Sequence, residues 1–221
     1  TAVPFLFTDR PDALAALGEV LLDGQMLLAG SVRQEGVREN GDTVRFYNSM
    51  LLINDKGEIV DASDKAHLVP FGEYLPMEDL LGMVGLRQIV TTPGGFSAGP
   101  RLKPLDLPGI GKILPLICYE VIFPGVANST ATRANAIVNI TNDAWYGRTP
   151  GPWQHFRLAQ LQAIESGIPL IRAANNGISG VVDGQGRVVA ALNLDAIGAL
   201  DAVFPQSTIA SIYSLYGVRA I

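Results

Sequence analysis

The stretch Leu114-Pro115-Leu116-Ile117-Cys118-Tyr119-Glu120 places the only cysteine of the chain at the end of an apolar run, with an aromatic residue and a carboxylate directly behind it. Ile113 to Ile117 reads as a short buried strand, interrupted by Pro115 and preceded by the turn Gly109-Ile110-Gly111. Open α/β sheets carry their chemistry outside the carboxyl ends of their strands, which is where this reading puts the thiol. Taken alone, a single cysteine is a small buried hydrophobe. To act as a nucleophile it must become a thiolate, through a neighbouring base or a nearby cation. Glu120 adjoins it, and a second polar cluster lies upstream in Lys65-Ala66-His67-Leu68-Val69-Pro70-Phe71-Gly72-Glu73.

Outward from this strand, periodicity sets the remaining elements. Pro11 to Leu22 reads as an amphipathic helix with Thr8 or Asp9 as its cap, and Met26 to Val32 as a strand followed by a polar loop from Arg33 to Thr43. Arg45 to Ile53 and Ile59 to Ala62 form a hairpin about the turn Asn54-Asp55-Lys56-Gly57. Met77 to Leu86 is apolar and helix-like but broken by Gly82 and Gly85, and Thr91 to Pro100 is a Gly/Pro-rich loop. A second helix is expected from about Val126 to Arg133 and a buried strand from Ala136 to Thr141. A long helix follows from Trp153 to Gly167, with Phe156, Leu158, Leu161, Ala163 and Ile164 recurring around it. Leu170 to Ala173 and Ile178 to Val182 are strands on either side of Asn175-Asn176-Gly177, a tight turn expected to need positive φ. Asp183-Gly184-Gln185-Gly186 turns into a last strand, Val188 to Leu192. Strands alternate with helices in the middle and hairpins stand at both ends, which predicts an α/β fold with mixed sheets between helical layers.

With 221 residues and 48% hydrophobic content, the chain can bury one sizeable core and is expected to form a single domain. A formal net charge of -5 without a long basic run argues against a nucleic-acid partner. One cysteine excludes an intramolecular disulfide framework. No uninterrupted apolar stretch of about 18 residues marks a membrane-spanning helix. No basic start followed by an apolar block marks a signal peptide at Thr1. The start at Thr1 instead of a methionine leads us to expect a piece of a longer protein.

Four blocks stand in family order: Lys65-Ala66-His67-Leu68-Val69-Pro70-Phe71-Gly72-Glu73-Tyr74; Cys118-Tyr119-Glu120; Asn142-Asp143-Ala144-Trp145-Tyr146-Gly147; and Gly151-Pro152-Trp153-Gln154-His155-Phe156. Together they resemble the carbon-nitrogen hydrolase (nitrilase) superfamily, and within it the apolipoprotein N-acyltransferase branch. The resemblance covers Thr1 to about Tyr216 and implies a nitrilase-like α-β-β-α sandwich. It also implies a Glu-Lys-Cys triad in which Lys65 is the lysine and Cys118 the nucleophile. Glu73 matches the further glutamate that holds the lysine, while Tyr119 and Glu120 match positions used beside the thiol. The physics agrees: an ammonium near the thiol favours the thiolate and later steadies an oxyanion, for which the Tyr119 N–H is a second donor.

The implied reaction is ping-pong acyl transfer. The acyl chain of a phospholipid passes to Cys118 as a thioester, then to the N-terminal diacylglyceryl-cysteine of an apolipoprotein. The implied location is the bacterial inner membrane, with this domain facing the periplasm and membrane contact made by segments outside the chain. No metal and no organic cofactor is implied. The triad glutamate of the family lies in a Pro-Glu-[Ser/Thr]-Ala-[Val/Ile]-Pro block, and the chain opens on Thr1-Ala2-Val3-Pro4, one residue after that glutamate. The expectation is therefore that Thr1 to Ile221 lacks the base, its strand and the membrane helices, and is inactive alone. Two rivals stand beside this reading: a soluble amidase or carbamoylase of the same superfamily, and a non-catalytic binding module.

Single residues also have plainer readings. Lys65 alone would be a solvated surface lysine and Glu73 a surface carboxylate or helix-start charge. His67 and His155 are too few for a metal cluster and read as structural hydrogen-bonders. Trp145 and Trp153 are expected to pack rather than to act as substrate platforms. The segment Leu75 to Leu86 is either a buried helix or an arm admitting acyl chains, and Ile209 to Ile221 would lead towards a membrane helix.

Overall fold

The computed structural model describes residues 3, 5–36, 44–74, 76, 95–128, 133–208 and 210–217. These fall into two compact units, Val3–Arg101 and Leu102–Ile221. In the first unit a short turn (Phe7–Asp9) leads to helix α1 (Pro11–Val20) and to strands β1 (Leu27–Glu35), β2 (Arg45–Ile53) and β3 (Ile59–Asp64), an antiparallel sheet in the order β1-β2-β3. α1 ends two residues before the expected Leu22, and Arg10, not Thr8 or Asp9, occupies its cap position without a side-chain cap bond. Pro11 supplies a preset first turn, and the Arg10 guanidinium pairs instead with Asp12. β1 runs on through Arg33, Gln34 and Glu35 because Tyr47, Phe46 and Arg45 of β2 lie opposite to pair with them.

The core of this unit gathers Phe7, Leu51 and Ile53 with Leu14, Leu17 and Leu27. The hairpin turn forms as read, the Gly57 N–H donating to Asn54 O. Gly57 is required twice over: its φ is +74°, and a Cβ there would stand 2.0 Å from the carbonyl oxygen of Leu14 on α1. The absence of a side chain lets the turn dock on the helix.

The second unit holds a mixed sheet: β4 (Leu105–Leu107), β5 (Gly111–Ile117), β6 (Ala136–Asn142), β7 (Leu170–Asn175), β8 (Ser179–Val182) and β9 (Val188–Leu192), in that spatial order. β5, β6 and β7 run parallel and the outer pairings are antiparallel. Ile113, Leu114, Leu116, Ile117, Ile137 and Leu170 are fully or almost fully buried, as expected of parallel strands covered on both faces. Of the helix expected from Val126 to Arg133, Val126–Asn128 form a short turn and Arg133 is non-helical, its guanidinium donating to the carbonyl of Ser166; 129–132 lie outside the described residues.

Helix α2 (Gly151–Ser166) packs on β7 and on the turn that follows β5. Its buried face carries Pro152, His155, Phe156, Ala159, Gln160, Gln162, Ala163 and Ser166. Of the apolar residues recurring around this helix, Phe156 and Ala163 are buried, while Leu158, Leu161 and Ile164 are exposed. The buried amides find acceptors, Gln162 Nε2 donating to Phe123 O and Gln160 Nε2 to Gly186 O. Trp145 and Trp153, expected to pack, are 68% and 51% exposed. A short helix α3 (Ile212–Tyr216) closes the described chain. Residues 75 and 77–94, which include the apolar segment from Met77 to Leu86, lie outside the described residues, as do 209 and 218–221. Among the described residues no helix is long and apolar enough to cross a membrane.

Candidate active site

In the first unit the polar centre is Lys65, just past the end of β3 and only 1% exposed. Its Nζ donates to both carboxylate oxygens of Glu73, at 2.9 and 2.7 Å. Glu73 is itself buried and accepts from Asn48 Nδ2 at 2.9 Å and from the Val69 N–H at 2.8 Å. The backbone of Lys65 is pinned as well: its N–H donates to Asn48 O and its carbonyl accepts from the Gly99 N–H. A lysine out of water with one paired, hydrogen-bonded carboxylate is an immobile point charge, the opposite of a solvated surface lysine. His67, two residues on, is exposed.

In the second unit Cys118 stands at the carboxyl end of β5 and opens the turn Cys118–Ile122. Its φ is +53°, a left-handed conformation that a non-glycine residue adopts at a cost and that concentrates at functional sites. Glu120 is fully buried, and its carboxylate accepts the N–H of Ile117 at 2.8 Å, tying the turn back to the strand end. The Tyr119 ring stands edge-on to Phe123 with centroids 5.0 Å apart.

Behind the cysteine lies a buried polar network from β6, β7 and α2. Asn139 Nδ2 donates to Leu116 O at 2.8 Å and to Cys118 O at 3.5 Å. Arg172 donates to Asn139 Oδ1, and at 2.8 Å to Asp143 Oδ2. His155 sets Nδ1 2.9 Å from Asp143 Oδ1 and 3.1 Å from Arg172 Nη2, and Nε2 3.3 Å from Cys118 O. Thr141 Oγ1 donates to Asp143 Oδ1 at 3.0 Å. Burial alone would raise the Asp143 carboxyl, but the His155 hydrogen bond and the Arg172 charge outweigh it and hold the group below its ordinary value. Burial pushes the Arg172 guanidinium down, against the pull of Asp143. The Tyr146 phenol, its ring tilted against His155, is pushed up by burial, with the neighbouring Cys118 and Asp143 adding to the shift.

This network is also why Gly177 is a glycine. The positive φ of the Asn175-Asn176-Gly177 turn falls on Asn176, at +57°, not on Gly177. A Cβ on Gly177 would meet Asp143 Oδ2 at 2.3 Å, so what the position needs is space.

Breaking the buried pair has a measurable consequence. Asp143→Ala leaves Arg172 charged and unpaired in the interior, and is expected to destabilise the intact protein by about 3–5 kcal/mol in a denaturant titration. Because the folded value of Asp143 lies below the unfolded value of roughly 3.9, its contribution is fully present above that value and is lost as pH falls through the folded one. Wild-type stability should therefore carry an acid-sensitive component below about pH 4 that Asp143→Ala lacks. A variant as stable as wild type, or with the same acid dependence, would contradict this account of the network.

Of the residues anticipated from sequence, the first unit brings Lys65 to Glu73 and the second joins Cys118, Tyr119 and Glu120 in one turn. His155 is the structural hydrogen-bonder it was read as. Asn48, Asn139 and Arg172 were missed. The signal for them was a polar residue inside an otherwise apolar strand: Asn48 before Ser-Met-Leu-Leu-Ile, Asn139 within Ala-Ile-Val-Asn-Ile, and Arg172 within Leu-Ile-Arg-Ala. Among the described residues no three His, Cys, Asp or Glu side chains gather as a metal ion would need.

Residues 12–213 match the carbon-nitrogen hydrolase family. The chain is 52% identical over 206 residues to the apolipoprotein N-acyltransferase of Brucella melitensis, covering 93% of this chain and 38% of that protein. To the apolipoprotein N-acyltransferase of Sinorhizobium medicae it is 54% identical over 207 residues, covering 93% and 39%. It thus spans well under half the length of these relatives. Among solved structures, a carbon-nitrogen hydrolase from Helicobacter pylori G27 superposes with a TM-score of 0.58 at 17% identity, covering 85% of this chain and 64% of that one. A cysteine mutant of the amidase from Nesterenkonia AN1, of the nitrilase superfamily, gives 0.59 at 22% identity, covering 85% and 65%. These likenesses show the nitrilase fold, in agreement with the α/β class and mixed sheets read from the sequence.

Proposed function

The chain belongs to the carbon-nitrogen hydrolase family, and from that premise we propose that it is the catalytic part of an N-acyltransferase working through a thioester on Cys118. The thiol gives its proton to the glutamate that completes the family triad, and Sγ attacks the ester carbonyl of a phospholipid acyl chain. The tetrahedral oxyanion collapses, the C–O bond breaks, and the lysophospholipid oxygen leaves with a proton. The α-amino group of a diacylglyceryl-cysteine on an apolipoprotein then attacks the thioester. The amide forms, the C–S bond breaks, and the amine proton returns through the same base. Lys65, held by Glu73, supplies the positive charge for thiolate and oxyanion, and the Tyr119 N–H is the second oxyanion donor.

The observation that carries the nucleophile assignment is the backbone of Cys118, a non-glycine residue at φ +53° on the carboxyl end of a parallel strand. The lipid substrates rest on the identity of 52–54% to proteins named for that reaction. By the same reasoning the site works at the bacterial inner membrane on its periplasmic side, without a metal or organic cofactor and without a nucleic-acid partner.

The test is a choice of substrates offered to the intact protein. With phospholipid and a diacylated lipopeptide, the lipopeptide should gain one acyl chain while an equal amount of lysophospholipid appears, and small aliphatic amides should release no ammonia. Amide hydrolysis with no lysophospholipid would replace this reading with the amidase one. Inertness towards both would favour a binding module.

A further inference from the structure

The buried network reaches the site at one atom, the carbonyl oxygen of Cys118. His155 Nε2 lies 3.3 Å from it, and since a carbonyl oxygen only accepts, that ring nitrogen donates. Asn139 Nδ2 makes a second, longer approach at 3.5 Å. The other ring nitrogen, Nδ1, lies 2.9 Å from Asp143 Oδ1, and Arg172 holds that carboxylate through its other oxygen, both residues being buried. His155 is therefore held at one nitrogen so that the other can hold a backbone group.

That backbone group is half of a peptide plane. Cys118 C=O and Tyr119 N–H belong to the same trans peptide bond and point in opposite directions. Whatever fixes the oxygen from behind also aims the N–H in front. Tyr119 is the second residue of its turn, among the first amides of a helix, which have no partner within it. Cys118 sits at φ +53°, so the plane it introduces is not one the chain would keep without restraint.

We propose that His155 is a positioning residue for the oxyanion hole: by donating to Cys118 O, it orients the Cys118–Tyr119 peptide so that the Tyr119 N–H faces the developing oxyanion. The proposal rests on the thioester reading above. Asp143, itself held by Arg172, acts through the ring and touches no substrate.

Two reactions of the same thiol separate this role from simple support of the fold. Alkylation by iodoacetamide is a displacement at carbon and forms no oxyanion. Acylation by a p-nitrophenyl ester passes through one. In the intact protein, His155→Asn puts its amide nitrogen at the place of Nδ1, towards Asp143, and leaves Cys118 O without its donor. His155→Gln puts the amide nitrogen at the place of Nε2 and keeps that donor. His155→Asn should slow acylation of Cys118 by about 100-fold, the order of loss expected from a misaimed group, with alkylation within about threefold of wild type. His155→Gln should keep the ratio of acylation to alkylation within about tenfold of wild type.

Equal losses in the two variants, or acylation and alkylation falling together, would overturn the proposal in favour of a structural role. If His155→Asn does not fold, the ratio in His155→Gln decides alone: a fall of more than about tenfold overturns the proposal, and a retained ratio upholds it. Mapping the ester adduct in wild type tests the underlying reading separately, because an adduct on a residue other than Cys118 would sink the nucleophile assignment itself.

Discussion

Cys118→Ala is expected to lower N-acyl transfer by the intact protein by at least about four orders of magnitude, the scale seen when a nucleophile that acts with its partners as a unit is removed. No other thiol exists in the chain to take its place. The substitution removes Sγ and little else: alanine bears the same Cβ, so the strain of φ +53° is unchanged, and the hydrogen bonds at this residue run through its carbonyl. The variant should melt within a few degrees of wild type while releasing no lysophospholipid. Transfer within about 100-fold of wild type would mean that the acyl chain passes directly from donor to acceptor, with no enzyme thioester.

Lys65→Arg should be nearly as severe, although it conserves the charge. Lys65 is 1% exposed, and its ammonium takes both oxygens of Glu73 at 2.7 and 2.9 Å while Glu73 is committed to Asn48 and the Val69 N–H. A guanidinium is larger and planar, and its fork pairs with a carboxylate in a different geometry. It must displace Asn48 or withdraw from the site, and in either case the positive charge leaves its fixed point. The expected loss in acyl transfer is about three orders of magnitude or more, read as kcat with a folded, lipid-binding protein. Activity within tenfold of wild type would remove Lys65 from the catalytic machinery.

Local rules account for what was legible in the chain. The Asn54-Asp55-Lys56-Gly57 turn, the apolar runs of β5 and β6, and the long α2 each carry their signal within a few residues, and all form close to where they were read. The failures share a different cause. Thr8 and Asp9 are good capping residues, but the chain turns at Arg10, where Asp12 offers its guanidinium a partner. β4 is three residues long and exists because Ile113, Lys112 and Gly111 pair with it, which no local pattern foretells. Leu158, Leu161 and Ile164 are apolar yet exposed, and α2 turns its His155–Gln162 face inward because the acceptors for those side chains, Cys118 O and Phe123 O, lie there.

The candidate site divides in the same way. Lys65, Glu73 and Cys118 came from motif blocks, and hydrogen bonds join the first pair. Asn139 and Arg172 sit on separate strands and meet only through the parallel register that sets Asn139 opposite Arg172. Their partnership belongs to the sheet, and no spacing along the chain announces it. The left-handed backbone of Cys118 is likewise a product of the strand-to-turn junction held by Glu120, Asn139 and His155.

The central claim, an acyl thioester on Cys118, has one direct test. The intact protein is incubated with phospholipid in the absence of an amine acceptor, quenched and digested with trypsin, and the peptide from Ile113 to Arg133 is weighed by mass spectrometry. It should carry one fatty acyl chain on Cys118, be stripped by hydroxylamine as a thioester is, and lose the chain to a diacylated lipopeptide added before the quench. Continued transfer to the lipopeptide with that peptide unmodified throughout, or with the acyl chain on another residue, would contradict it.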